Sequence, residues 1–128
     1  MRLLLDTHVL LWSVAASRRL PPDVRDLLVD PRNTILYSAA SVWEIAIKSS
    51  LGRKDFRVNL PQLLTAAGDI GFIELPVRST HAAQVGTLPD LHKDPFDRLL
   101  IAQALVESAV LLTNDAQLGH YSRQVRVF

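Results

Sequence analysis

The chain is punctuated by short apolar runs at residues 3–5, 35–37, 72–75 and 110–113, none of which alternates apolar with polar side chains. A strand wet on one face alternates, so runs of this kind belong to strands covered on both faces. Between them lie longer stretches with helical punctuation: Pro21-Pro22 opens 23–29, Ser41 opens 42–51, Pro61 opens 62–67 and Asp94-Pro95 opens 96–108. Strands alternating with helices need crossover connections, which predicts an α/β fold with a mostly parallel sheet and helices on both sides. The final residues 124–128 do alternate, with Val125 and Val127 on one side, as an edge strand does.

Two of these helices carry little polar surface. Only Gln103 is polar in 99–106, and only Ser41 and Glu44 in 39–47, so both are expected against the sheet or a second subunit. Residues 53–59, with Arg53, Lys54, Asp55 and Arg57 near Gly52, read as an exposed loop after a helix end. Trp12 and Trp43 lie in apolar helical stretches and read as core or interface packing ahead of base stacking.

A length of 128 residues with 48% hydrophobic and 21% charged side chains fits one folded domain spanning 1–128 and excludes a disordered chain. There is no cysteine, which removes a disulfide scaffold, a thiolate zinc site and a cysteine nucleophile together. Asp6 and His8 break the first apolar run before it reaches signal-peptide length, and no run is long enough to span a membrane. A cytoplasmic protein without membrane attachment is the expectation. The formal net charge of +1 provides no global field for a polyanion, so any nucleic-acid partner must be held by local charges.

Four acidic residues stand out by position. Asp6 follows the first apolar run, Glu44 sits in an otherwise apolar helix, Asp97 is in the first turn of another, and Asp115 comes just after Thr113 closes the fourth run. In an open α/β sheet the carboxyl ends of strands and the neighbouring helix starts form one rim, where ligands bind. Each acid also has a local explanation: Asp6 and Asp115 as helix caps, Ser41 and Glu44 at capping-box spacing, and Asp94-Pro95-Phe96-Asp97 as a cap, an N1 proline and a dipole-favoured acid. Together, however, carboxylates converging in a low-dielectric rim repel one another unless a cation neutralises them. An all-oxygen donor set suits Mg²⁺ or Mn²⁺ ahead of zinc, as one or two ions, and such sites act on phosphates.

The stretch Leu3-Leu4-Leu5-Asp6-Thr7-His8, the segment Ser41-Val42-Trp43-Glu44 running to Lys48, the run His92 to Ala104 containing Asp94 and Asp97, and Leu111-Leu112-Thr113-Asn114-Asp115 occur in this order. Together they resemble PIN domains, and most of all the VapC-type ribonuclease toxins of bacterial toxin-antitoxin pairs. That resemblance implies a three-layer α/β/α sandwich, usually a homodimer, in which Asp6, Glu44, Asp97 and Asp115 bind Mg²⁺ or Mn²⁺ and catalyse RNA cleavage. It also implies a cognate antitoxin protein as partner. Thr7, Thr113 and Asn114 match positions that organise the site, and Asp94, three residues from Asp97 on one helix face, is an alternative ligand. In the mechanism expected, Asp6, Asp97 and Asp115 hold the ion or ions, and Glu44 binds directly or through water and orients the attacking water, leaving a 5′-phosphate and a 3′-hydroxyl.

Substrate signals are weaker. Lys48, Arg53, Lys54 and Arg57 cluster beside the Glu44 helix; Lys48 and Arg53 are the candidate phosphate contacts, with a solvated helix end as the equal alternative. His8, His81, His92 and His120 form no metal-spaced pair and read as surface or capping residues, His8 being nearest the acids. Two other readings compete. A phosphotransferase with Asp6 as nucleophile would carry a second Asp at position 8, where His8 stands. A catalytically inactive PIN-like module that binds RNA or protein is the alternative from a different class.

Overall fold

The computed structural model describes residues 1–128. Its strands are β1 (Arg2–Leu5), β2 (Thr34–Ser38), β3 (Ile73–Leu75), β4 (Val110–Thr113) and β5 (Val125–Val127). The helices are α1 (Thr7–Val14), α2 (Pro22–Val29), α3 (Ala39–Ser50), α4 (Leu60–Asp69), α5 (Ser79–Val85) and α6 (Pro95–Glu107). The five strands form one sheet in the order β3-β2-β1-β4-β5. Every pairing is parallel, including that of the last strand, which pairs Val125 with Leu111 and Val127 with Thr113.

Why the apolar runs do not alternate is visible in β1. Leu3 and Leu5 enter one apolar cluster with Val9, Leu10, Val24 and Ile45, while Leu4, between them, enters a second with Leu100, Ile101 and Leu111. The strand is buried on both faces, with α1 to α4 contributing to the first cluster and α6 to the second. The architecture is thus the three-layer α/β/α sandwich expected, with a sheet that is wholly parallel.

Helix starts follow local chemistry. Asp6 caps α1 by accepting the Val9 N–H at 2.9 Å, Asn59 caps α4 through the Gln62 N–H at 3.1 Å, and Asp94 caps α6 through the Phe96 N–H at 2.9 Å. The expected opening of α3 at Ser41 is corrected. Its cap is Ser38, whose hydroxyl accepts the Ala40 N–H at 2.9 Å, so Ser41 and Glu44 lie inside the helix and are buried. Two further expectations change. The segment 53–59 is not simply an exposed loop, because a 3₁₀ turn at Lys54–Phe56 sends Phe56 wholly into the core. Trp43 is 60% exposed and is no core residue, its one aromatic neighbour being Phe96 at 5.2 Å between ring centroids.

The helix α5 has no counterpart among the expected elements. It is fastened by His81, fully buried, whose Nδ1 accepts the Arg78 N–H at 2.9 Å while Nε2 lies 2.8 Å from Glu107 on α6. No helix is long and apolar enough to cross a membrane.

Candidate metal centre

The strand order places β1 beside both β2 and β4, and the chain moves outward from β1 in opposite directions on its two sides. The crevice at the carboxyl ends of β1 and β4 is therefore the topological switch point, where open parallel sheets bind ligands. Asp6 leaves β1 there and Asp115 follows β4. Glu44, on the second turn of α3, and Asp97, on the first turn of α6, complete the rim.

These four acids line one cleft of about 250 Å³, together with Thr7, His8, Lys48, His92 and Asp94, and no hydrophobic side chain contributes to its wall. A larger, mainly apolar hollow of about 670 Å³ lies at the amino ends of β2 and β3, bordered by Leu28, Ile35 and Phe72, and contains none of the four acids.

Each carboxylate is held by a specific donor. The Thr113 hydroxyl donates to Asp6 Oδ2 and accepts the Asp115 N–H at 3.1 Å, so one threonine ties the ends of two strands together. Asp115 also accepts the Gln117 N–H at 3.0 Å, capping the 3₁₀ turn Ala116–His120. The Thr7 hydroxyl donates to Glu44 Oε1 at 2.6 Å and sits 3.0 Å from the Ser41 hydroxyl. Lys48 forms an ion pair with the other oxygen, Glu44 Oε2. His92 Nε2 lies 2.9 Å from Asp97 Oδ2.

The electrostatics follow from crowding. Five carboxylates share a cleft whose one fixed cation is Lys48. Burial, followed by repulsion from Asp94 and then from Asp6 and Glu44, pushes the Asp97 carboxyl up to about 6, against the lowering effect of His92. Asp6 is raised as well, chiefly by burial and slightly by Glu44, although Thr113 and the Val9 N–H oppose the shift. These mutual influences express the convergence of side chains from different parts of the chain.

The donor set, five carboxylates with two imidazoles of which only His92 meets an acid of the cleft, fits a hard divalent cation. Asp6, Asp97 and Asp115 would hold it, with Glu44 at its side, paired to Lys48. Asp94 lies in the same cleft although it also caps α6, and donor atoms of His92, Asp94 and Asp97 fall within 4.8 Å of one another. His92 is the residue that sequence reasoning passed over. It sits in the loop before α6, where no helical or strand period marks it. Arg98 fixes that loop by donating to the carbonyls of Pro89 at 3.0 Å and His92 at 3.3 Å. Two candidates stand apart from the cleft. Asn114 is exposed and donates its amide to the Phe128 carbonyl, and Arg53 is exposed and faces Asp55 at 3.5 Å.

Comparison with protein families matches the PIN domain over residues 3–124. Among solved structures, the fold is similar to a chain of VapBC2 from Rickettsia felis bound to a DNA fragment from its promoter, with a TM-score of 0.68, 18% identity, and coverage of 100% of this chain and 98% of that one. A chain of DNA-bound VapBC from Salmonella typhimurium gives 0.65 at 14% identity, covering 100% and 97%. One from VapBC-1 of nontypeable Haemophilus influenzae gives 0.61 at 18% identity, covering 99% and 98%. No curated protein sequence matches the chain.

Proposed function

The chain belongs to the PIN domain family, and from that premise we propose that it is an Mg²⁺- or Mn²⁺-dependent endoribonuclease acting as the toxin of a toxin-antitoxin pair. The observation that carries this reading is the convergence of Asp6, Glu44, Asp97 and Asp115 in one polar cleft at the switch point of the sheet. A divalent ion bound there supplies Lewis-acid chemistry, acidifying a water and offsetting charge on the phosphoryl oxygens.

The chain's own groups do the rest. Asp6, Asp97 and Asp115 hold the charge that attracts the ion, and Thr113 fixes the relative placement of Asp6 and Asp115. Glu44, oriented by Thr7, aligns the attacking water. Attack forms a bond from the water oxygen to phosphorus and breaks the bond to the 3′ oxygen, giving a 5′-phosphate and a 3′-hydroxyl. Lys48 in the cleft is the cation beside the phosphate; Arg53 acts only as an outer contact to the RNA backbone.

The likeness to VapC-type toxins in sequence, and to chains of VapBC structures in fold, supports a cognate antitoxin protein as partner. A homodimer is supported by the exposed apolar side chains Trp43 and Leu51 on and just after α3. The test is cleavage of RNA by purified Asp6→Asn and Asp97→Asn chains. Both fold and neither cuts if the reading holds; undiminished cutting by both removes this cleft as the active site.

A further inference from the structure

Lys48 lies four residues after Glu44 on α3, a spacing that puts both on one helix face. Most such pairs are exposed and weak. Here the lysine side chain is only 21% exposed and Glu44 only 5%. The ammonium also sits over two aromatic rings from separate segments: Phe56, at 4.9 Å from the ring centroid, and Phe96, at 5.8 Å. Phe56 is wholly buried beneath the 3₁₀ turn that follows α3, and Phe96 immediately precedes Asp97. The cation therefore occupies a seat built by three parts of the chain.

Glu44 differs from the other acids of the cleft. Asp6 is also bonded at both oxygens, but by the neutral Val9 N–H and Thr113 hydroxyl. The bonds to Asp94 and Asp115 likewise come from backbone N–H groups. Glu44 alone meets a fixed positive charge. Asp6, Asp97 and Asp115 are left to attract an ion, whereas an ion at Glu44 would have to displace or tolerate the ammonium.

We propose that Lys48 takes the place of a second divalent ion, so that the cleft binds a single ion and sets the lysine ammonium beside it, facing the phosphate. This rests on the cleft being a divalent-ion site, and the experiment separates the two claims. Mn²⁺ is titrated into the purified chain and its variants, and bound ions per chain are counted by calorimetry and by paramagnetic resonance, with thermal melting to confirm folding. The native chain and Lys48→Arg take up a single Mn²⁺, Lys48→Met gains a second and weaker one, and Glu44→Gln combined with Lys48→Met loses that second ion. If Lys48→Met fails to melt cooperatively, Lys48→Gln, which retains a donor for Glu44, serves in its place. A second Mn²⁺ on the native chain, or the same single ion on the native chain and the neutral variant, overturns the proposal and leaves the metal site standing. No Mn²⁺ uptake by the native chain overturns both.

Discussion

At the scale of single residues, Asp97 states the tension between folding and chemistry. Its carboxyl is pushed up to about 6, whereas the unperturbed value is 3.8. Between those values the folded chain binds a proton that the unfolded chain releases. Without divalent ions, folding stability therefore declines as pH rises through that window, by an amount of order 2–3 kcal/mol for this group. Asp97→Asn is expected to melt above the native protein at pH 7.5 in chelator, to lose most of that advantage near pH 4.5, and to fall behind once Mn²⁺ is added at pH 7.5. Thermal melts at the two pH values check all three. Affinity for Mn²⁺ should weaken below about pH 6, since the proton and the ion compete for the same carboxylate. Thr113→Val, which keeps the shape of the side chain and removes both hydrogen bonds, is expected to lower cleavage about 10–100-fold, as residues supporting metal ligands do. Unchanged cleavage would show that Thr113 does not organise the site. Asp6, Asp97 and Asp115 were legible in the sequence because strand ends and helix starts assign positions to them, and Glu44 because it is an acid in an otherwise apolar helix. His92 was not, because a loop has no period, and its approach to Asp97 depends on Arg98 gripping the loop's carbonyls.

At the scale of elements, the sequence marked the strands and most helices because apolar runs and proline punctuation are local signals. Misreadings arose where a tertiary contact overrode them. Ser41 resembled a cap, yet Ser38 performs that role, and Ser41 turns inward toward Thr7. The helix α5 lacks an apolar stripe, and its stability comes from His81 reaching Glu107 on another helix. Two substitutions separate scaffold from site. Ser38→Ala removes a buried cap and should cost about 1 kcal/mol. Ser108 ends α6 in the left-handed region, at φ 52°, and is exposed. Ser108→Gly relieves that conformation and should stabilise the chain by about 1 kcal/mol. Urea denaturation measures both. Ser108→Gly lies far along α6 from Asp97 and should leave the cleavage rate unaltered.

At the scale of the whole molecule, a net charge of +1 conceals a strongly negative cleft. The near-balance of acids and bases disfavours strong nonspecific binding to nucleic acid and leaves affinity to depend on the ion and on local cations such as Lys48. Divalent ions at about 100 times their dissociation constant should stabilise the folded chain by about 2.7 kcal/mol, read as a raised melting temperature that chelator reverses. The architecture was legible because strands buried on both faces leave few arrangements other than a parallel sheet between helices. The meeting of the acids on one rim was legible from strand ends and helix starts, whereas the pairing of β1 with β4, far apart in the chain, that brings Asp6 and Asp115 side by side was not. The most direct measurement incubates a labelled single-stranded RNA with the purified protein while Mg²⁺ or Mn²⁺ is titrated against chelator, and identifies the product ends. Cleavage that rises with the ion, stops in chelator and leaves 5′-phosphate and 3′-hydroxyl ends is the predicted result; RNA binding without cleavage across both titrations would contradict the account and favour a module that binds without cutting.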